Sequence, residues 1–454
     1  MEQNVKADAD GSFDDRENPF DSVVSLPILA ARLAGAAIVV VALLSGSQPL
    51  EWVAVPMLLW TAIVVWGSHV IFAENLACLP NLSAEVPREA VPQPLPGVTI
   101  IVPARNEAAG IEPAARALAA IDYPRLEIII VDDHSSDATP QILQRLARDF
   151  PRLHALAAPD LPKGWTGKTN ANTFGFRQSS PDSRWLLFTD ALVTFHRNAV
   201  SSAIAHAEAN HLGFLSCVVR FEGKGLAEEL VTVIQNRGVV VSARAFGGGP
   251  PASPYGLGAF TMIQRDLYQA CGGHARFSGH ALEDFMLAKA AHRSGGATGA
   301  AIASEIVSVR RYHGFQDLRR RMIRTFRTAA SDSVLDLVNR ISLEFCLNLL
   351  PVLVVATGVF SMAARGFQPA LAVITLLALL AYFAGTCTPR SCRRICGYRS
   401  WVVWLYPLGT VLWIFLLLSA ISDRLRGRAI SWRDRKIDAP RVAGTSRPFD
   451  DRPS

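Results

Sequence analysis

Apolar residues gather at the two ends of the chain and alternate with polar ones in the middle. Residues 26–46 (LPILAARLAGAAIVVVALLSG) contain one charge, Arg32, and residues 52–73 contain none. Residues 345–364, 369–386 and 401–421 are again almost free of charge. Apolar runs of about 18–22 residues are long enough to cross the hydrocarbon core as helices. The chain therefore reads as a polar middle held between membrane segments.

The middle shows two periods. VTIIVPA (98–104), LEIIIVDD (126–133), LHALAA (153–158) and WLLFTD (185–190) are short apolar runs that read as strands. Residues 105–121, 138–150 and 198–209 have helical spacing, the second with Pro140 in its first turn. Apolar strands alternating with helices predict an α/β domain whose mostly parallel sheet is covered on both faces. Ligands bind such sheets outside the carboxyl ends of the strands. Polar clusters fall there: Arg105-Asn106-Glu107, Asp132-Asp133 and Asp190. Further on, 226–246 reads as an amphipathic helix, 247–258 as a Gly/Pro-rich loop, 258–263 as a short strand and 282–295 as a helix. Residues 317–328 (DLRRRMIRTFRT) are basic and amphipathic, suited to a membrane surface.

Composition sharpens this division. Half of the 454 residues are hydrophobic and the net charge is +6. The leading segment is acidic where a signal peptide is basic. The expected organisation is a disordered cytoplasmic N-terminus (1–24), two transmembrane helices (25–73), a linker (74–95), the α/β domain (96–316), an amphipathic interface segment (317–341), two to three transmembrane helices (342–421) and a basic cytoplasmic tail (422–454). The tail suits anionic lipid. No basic surface interleaved with aromatics accompanies it, so no nucleic acid is expected as partner. The seven cysteines include Cys387, Cys392 and Cys396 close together, without a fourth ligand at metal spacing. They read as free thiols.

Charge near the last runs sets the topology. The 387–400 loop carries four Arg residues, and the tail carries nine Lys or Arg, six of them between Arg424 and Lys436. Positive-inside counting puts the tail on the cytoplasmic side. One of the last three runs then fails to cross, which leaves four spans. Residues 342–364, with Glu344 and Pro351, are the first candidate for that run; 401–421, with Pro407 and Gly409, is the second.

Several side chains carry candidate chemistry. Asp132 and Asp133 end a strand, and SSDAT follows with residues suited to capping the next helix. Lys168 sits between glycines and a helical stretch in GWTGKTNA. Glu283 and Asp284 open a helix after FSGH, where acids also suit the helix dipole. Taken in order, VTIIVPARNE, VDDHSSDAT, FTDALV and LEDF resemble the family 2 glycosyltransferases, over about 96–330. PKGWTGKTNA, GAFTMIQRDLYQACGGH and RGRAISWRDRK resemble a membrane-bound bacterial branch linked with hopanoid, carotenoid and other lipid glycosylation.

The resemblance implies a GT-A fold, a nucleotide-sugar donor and an inverting transfer to a lipid or polyprenyl-type acceptor at the inner membrane, with the catalytic domain cytoplasmic. By it, Pro103, Arg105, Glu107, Asp132 and Asp133 line the nucleotide site, Lys168 meets nucleotide or phosphate, and Asp190 faces diphosphate and sugar. Asp284, with Glu283 beside it, supplies the base. The family holds a divalent metal on Asp-x-Asp, but Leu192 stands at the second acid. Asp190 alone implies Mg or Mn only weakly held, with donor phosphates and waters completing the shell and His196 no more than a minor candidate for a further ligand. Arg321 and Arg324 stand where the family often has Gln/Arg-x-x-Arg-Trp and are candidates to neutralise the diphosphate. Thr325 replaces the Trp, which argues against the alternative of a polysaccharide synthase. A non-catalytic, nucleotide-binding or scaffolding relative is the other alternative, motivated by Leu192.

Overall fold

The computed structural model describes residues 26–45, 48–87, 92–245, 256–280, 282–329, 333–428, 430–432 and 435–437. The expected disordered N-terminus, most of the Gly/Pro-rich loop and most of the basic tail lie outside these residues.

Two apolar helices come first, α1 (Leu26–Ser45) and α2 (Gln48–Cys78). The α/β domain follows. Its strands are β1 (Val98–Ala104), β2 (Leu126–Asp132), β3 (Leu153–Ala157), β4 (Trp185–Phe188), β5 (Val193–Phe195), β6 (Phe214–Val218), β7 (Arg220–Phe221), β8 (Thr261–Gln264), β9 (Thr298–Ile302) and β10 (Val307–Val309). Its helices are α3 (Ile111–Ala119), α4 (Thr139–Asp149), α5 (Gly167–Gln178), α6 (Ala199–Ala209), α7 (Leu226–Ala245), α8 (Arg265–Ala270) and α9 (Glu283–Arg293).

The main sheet has seven strands in the order β3-β2-β1-β4-β8-β6-β9, and β8 alone runs antiparallel to its neighbours. Side chains alternate between its faces, as strand geometry requires. Ile100, Val102, Ile128, Ile130, Trp185 and Leu187 enter a core shared with α3, α4 and α6. Ile101, Leu186 and Phe188 face α8 and α9, while Ile129 and Val131 face α5. Burial on both sides is why these strands read as unbroken apolar runs.

Pro103 fits its strand for a local reason. The β1–β4 pairing ends at Ile101 and Phe188. Thr189 N–H still reaches the Ile101 carbonyl, so Pro103, of the same parity, faces a side with no strand left to receive an N–H. Here β4 stops and the chain turns away, which leaves the carboxyl ends of β1, β2 and β4 open as a crevice. β5, β10 and β7 form a separate three-stranded sheet beside it.

The remaining helices are α10 (Phe315–Ala329), α11 (Val334–Glu344), α12 (Leu350–Arg365), α13 (Pro369–Cys396) and α14 (Tyr406–Leu425), and the hairpin β11 (Ile430–Trp432) and β12 (Arg435–Ile437) closes the described chain. A π-helical turn at Phe345–Leu349 joins α11 to α12. Among the described residues, three stretches are long and apolar enough to cross a membrane: Val334–Arg365, Pro369–Arg393 and Ser400–Leu425. Ala36 and Val39 of α1, Ala54 and Leu58 of α2, Leu350 and Val354 of α12, and Leu371, Ile374 and Ala378 of α13 form one core. Outward-facing Leu353, Val359, Phe360, Leu376 and Leu380 are exposed, the pattern of a bundle that meets an apolar solvent.

α7 joins the two parts. Leu230, Val233 and Ile234 pack with Val218, Ala300 and Ile302 of the sheet and with Cys392, Ile395 and Cys396 of α13. Buried Glu229 accepts from Arg399 Nε at 3.0 and 3.1 Å. A largely buried carboxylate of this kind is held in place by its partner.

Candidate active site

The crevice begins as two interlocked turns. Asn106 and His134 both take the left-handed region, at φ 50° and 55°. Asn106 N–H donates to Ser135 Oγ at 2.8 Å, and Ser136 N–H returns a bond to Asn106 Oδ1 at 2.8 Å. Arg105 Nη1 donates to the Asp133 carbonyl at 2.6 Å and stands 4.0 Å from Asp133 Oδ2. Glu107 N–H donates to Thr139 Oγ1, and the Glu107 carbonyl accepts from Gly110 and Ile111 at the start of α3. Asp137, one residue before the N-cap of the next helix, accepts from Thr139 N–H and also ties in Ala108 N–H. Asp133 is buried and accepts from His134 Nδ1. Asp132 uses Oδ2 on Ser135 N–H, while its buried Oδ1 has no partner. An unpartnered buried carboxylate oxygen needs a donor from outside the protein.

Four charged side chains meet at the other end of the crevice. The Thr166 hydroxyl accepts from Thr169 N–H and caps α5, which puts Lys168 in the first turn of that helix. A cation is unfavourable at a helix N-terminus, so carboxylates must hold it there. Lys168 Nζ lies 2.9 Å from Asp190 Oδ1 and 2.7 Å from Glu283 Oε1. Asp284 follows Glu283 in the first turn of α9; its Oδ2 accepts from Gly258 N–H at 2.5 Å and its Oδ1 from Phe285 N–H at 2.9 Å.

The charges are tuned by burial and by one another. Burial opposes the charge on Lys168, but Asp190, Glu283 and Asp284 outweigh it and hold the ammonium well above its usual range. Burial, countered by Lys168 and reinforced by Asp284, lifts Glu283 to about 7. Burial also raises Asp284, against the pull of Lys168 and of its two backbone donors. Asp190 goes the other way: burial would raise it, but Lys168, with Arg311 and Arg321 farther off, holds it below the usual carboxylate value. The crevice thus sets three cations against three acids, and the acids differ in how easily they take a proton.

Gly258 is where the loop before β8 touches this cluster. A Cβ there would stand 2.6 Å from Lys168 Nζ, 3.3 Å from Asp284 Oδ2 and 3.4 Å from Asp190 Oδ1. Gly258→Val is therefore expected to push Lys168 off Asp190 and lower turnover by about 10²-fold, the scale of an ångström-sized misplacement in a site. Steady-state kinetics checks it, with a melting curve to show that the variant folds.

Behind the lysine lies a cavity of about 10 Å³ whose lining includes Asn172, His274, Glu283 and Asp284. Asn172 Nδ2 stands 3.2 Å from His274 Nε2, and Tyr268 OH stands 3.0 Å from His274 Nδ1. Burial and the nearby Lys168 hold His274 down to about 3, so it is neutral. An uncharged buried pair supports the acid cluster without adding to its charge.

The structure brings Asp190, Lys168, Glu283 and Asp284 together and sets Pro103, Arg105, Glu107, Asp132 and Asp133 along the adjoining turns. Arg321 is on α10, where its Nε donates to Asp317 at 2.9 and 3.0 Å, and Arg324 follows one turn later. Arg311, which the sequence left unmarked, joins Arg321 in the field at Asp190. Gly258 and His274 stand at the two ends of the GAFTMIQRDLYQACGGH motif without a role read for either, and Asn172 was unmarked.

The side chains do not compose a metal site by themselves. No group of three or more His, Cys, Asp or Glu among the described residues is arranged to hold an ion. Asp190 is committed to an ammonium, and a Cβ on Gly110 would stand 2.8 Å from Leu192 Cδ2, so Leu192 packs on the start of α3. His196 Nδ1 accepts from Asn198 N–H at 3.3 Å, a local turn bond.

Residues 99–272 match the family model "Glycosyl transferase family 2". Beta-monoglucosyldiacylglycerol synthase of Synechocystis sp. is 37% identical over 116 residues, covering 21% of this chain and 24% of that protein. 4,4'-Diaponeurosporenoate glycosyltransferase of Staphylococcus aureus is 29% identical over 233 residues, covering 50% of this chain and 56% of that protein. The chain spans from about a quarter to just over half the length of these relatives. A solved mannosyltransferase from Pyrobaculum calidifontis, in complex with GDP-Man and Mn2+, has a TM-score of 0.48 and 21% identity, covering 82% of this chain and 99% of that one. The strands β1 to β8 of the mixed sheet, with the crevice at the carboxyl ends of β1, β2 and β4, thus lie in a glycosyl transferase family 2 domain, on a chain whose described residues include three helices apolar enough to span a membrane.

Proposed function

We propose that this chain is an inverting glycosyltransferase that moves one sugar from a nucleotide donor to a lipid or polyprenyl-type acceptor. The observation that carries the reading is Asp284, a carboxylate with a raised affinity for protons, set beside a lysine held charged by three acids. Transfer needs a base for the acceptor hydroxyl and positive charge on the leaving diphosphate. Asp284 takes the proton of the acceptor hydroxyl, the hydroxyl oxygen attacks the anomeric carbon, and the bond to the diphosphate breaks. Lys168, with Arg311 and Arg321, meets the charge that builds on the departing oxygen. Asp190 fixes Lys168 and faces the sugar. The free Asp132 oxygen accepts from the nucleotide, and Arg105 and Glu107 brace the turns around it.

In this reading residues 96–316 are the catalytic domain, 317–341 the interface segment, and the apolar helices before and after are the membrane anchor. The charged, water-soluble donor places the domain on the cytoplasmic side of the inner membrane. The lipid relatives support an apolar acceptor that reaches the crevice along the bilayer. Lys168 does the work a tightly held metal would do. Chelation and readdition of Mg²⁺ or Mn²⁺ should show weak dependence, in the millimolar range, or none. Stoichiometric retention of metal through purification contradicts this assignment. The function itself is tested by incubating the purified chain in lipid with nucleotide sugars and extracted lipids. Release of nucleoside diphosphate that depends on an added lipid supports it. Nucleotide binding without turnover supports the scaffolding alternative.

A further inference from the structure

We propose that α14 does not cross the bilayer. It lies along the underside of the α/β domain at the membrane surface, with its stripe of Leu408, Val411, Phe415, Leu418 and Leu425 in the adjacent lipid leaflet. The inference rests on membrane attachment alone and does not depend on glycosyl transfer.

By length and hydropathy α14 is an ordinary span. A helix of its 20 residues is about 30 Å long, which matches the hydrocarbon core. If it crossed, its two ends would lie on opposite sides of the membrane, and only one could touch the α/β domain. Both ends touch it. Just before α14, Arg399 is paired with Glu229, and Val402, Val403 and Tyr406 pack with Val218, Ala300 and Ile302 of the sheet. A Cβ on Gly409 would stand 2.7 Å from the Leu230 carbonyl, so α7 and α14 are in backbone contact there. The middle continues the contact: Trp413 meets the Phe326 ring edge-on at 4.7 Å, and Leu416, Leu417 and Ala420 pack with Val231, Tyr312, Leu318 and Met322. Past its end, the Arg428 carbonyl accepts from Arg327 Nη1 at 2.7 Å.

The partner helix cannot follow α14 into hydrocarbon. α10 carries Arg319, Arg320, Arg321, Arg324 and Arg327, and charges at the bilayer centre are costly. The flanks of α14 carry interface residues at both ends. Trp401 and Trp404 are exposed, with Arg399 and Arg390 over their rings at 4.8 and 4.2 Å. Arg424, Arg426 and Arg428 are exposed at the other end. Trp and Arg mark the headgroup level. The face of α14 turned from the domain is the apolar stripe, with those five residues 48–73% exposed at helical spacing. By contrast, among the described residues, the core shared by α1, α2, α12 and α13 contains none from the α/β domain. Those four helices are the spans. The non-crossing role expected first of 342–364 passes to 401–421, and the tail after α14 stays on the side of the domain.

Single cysteines test this in a chain whose partly accessible Cys78, Cys346 and Cys387 are serine. Lys163→Cys reports the domain, Phe367→Cys the α12–α13 turn, and Arg426→Cys the tail. With a membrane-impermeant maleimide in sealed vesicles, Arg426→Cys should label from the same side as Lys163→Cys, and Phe367→Cys from the other. A reporter fused after Ser454 gives the same readout on the unaltered chain. Spin labels at Leu408, Phe415 and Leu425 should report similar shallow depths. Labelling of Arg426→Cys together with Phe367→Cys, or a depth maximum at Phe415, overturns the proposal.

Discussion

Asp284→Asn lowers turnover by about 10²-fold or more, the usual scale for losing a general base, while donor binding persists. The amide keeps the shape, and its one oxygen can still accept from either Gly258 or Phe285 N–H, which hold the two carboxylate oxygens at 2.5 and 2.9 Å. What it cannot do is take the acceptor proton. The raised proton affinity of Asp284, set by burial against the pull of Lys168, makes the base stronger than a surface aspartate. The check is a pair of measurements on one sample, turnover and donor titration. Near-normal turnover moves the role, first to Glu283, which precedes Asp284 in α9 and pairs with Lys168 at 2.7 Å.

Lys168→Gln is expected to remove about 10²–10³-fold of turnover, the scale of deleting one preorganised electrostatic group. It should also destabilise the fold, since Glu283 is left nearly buried without its cation. Breaking a buried pair costs about 3–5 kcal/mol, and the low end applies because Asp190 is 48% exposed in its side chain. The pH dependence separates this from a general loss of packing. In the native chain Glu283 sits at about 7, above its ordinary value, so the fold is most stable with Glu283 protonated and loses stability as pH rises through 7. Lys168 lowers that value, so its removal raises it further. The melting-temperature deficit of Lys168→Gln should therefore grow as pH rises and shrink in mild acid. A deficit that does not vary with pH places the effect elsewhere.

Much of this site was written in local pattern. β1, β2 and β4 are apolar on both faces because both faces are covered, so each announced its strand, and β2 and β4 also the acid at or just past the end. β6 (FLSCV) and β9 (TGAAI) went unmarked: they carry few β-branched residues, and their place is set by pairing with β8 and with each other. The predicted helix over 105–121 starts only at Ile111, since 105–110 forms the turn that locks onto Ser135 and Ser136. The chemistry of Asp190 was legible as a position but not as a partnership. Nothing local in FTDALV says that Lys168 will reach it, because that contact depends on where α5 begins. Arg311 and Gly258 matter for the same reason, through what the fold brings beside them. α14 shows the limit most plainly. Its sequence fits a span as well as an interface helix, and only its contacts with α7 and α10 distinguish the two.

The central claim is inverting transfer of a single sugar to a lipid, with Asp284 as base. It is tested most directly by the product formed from a labelled nucleotide sugar by the purified chain in lipid. Mass spectrometry and NMR of the organic phase should show one sugar per acceptor with inverted anomeric configuration, and Asp284→Asn should form it about 10²-fold more slowly or worse. A polymer, a product with retained configuration, or no lipid-linked sugar with any donor would contradict the account.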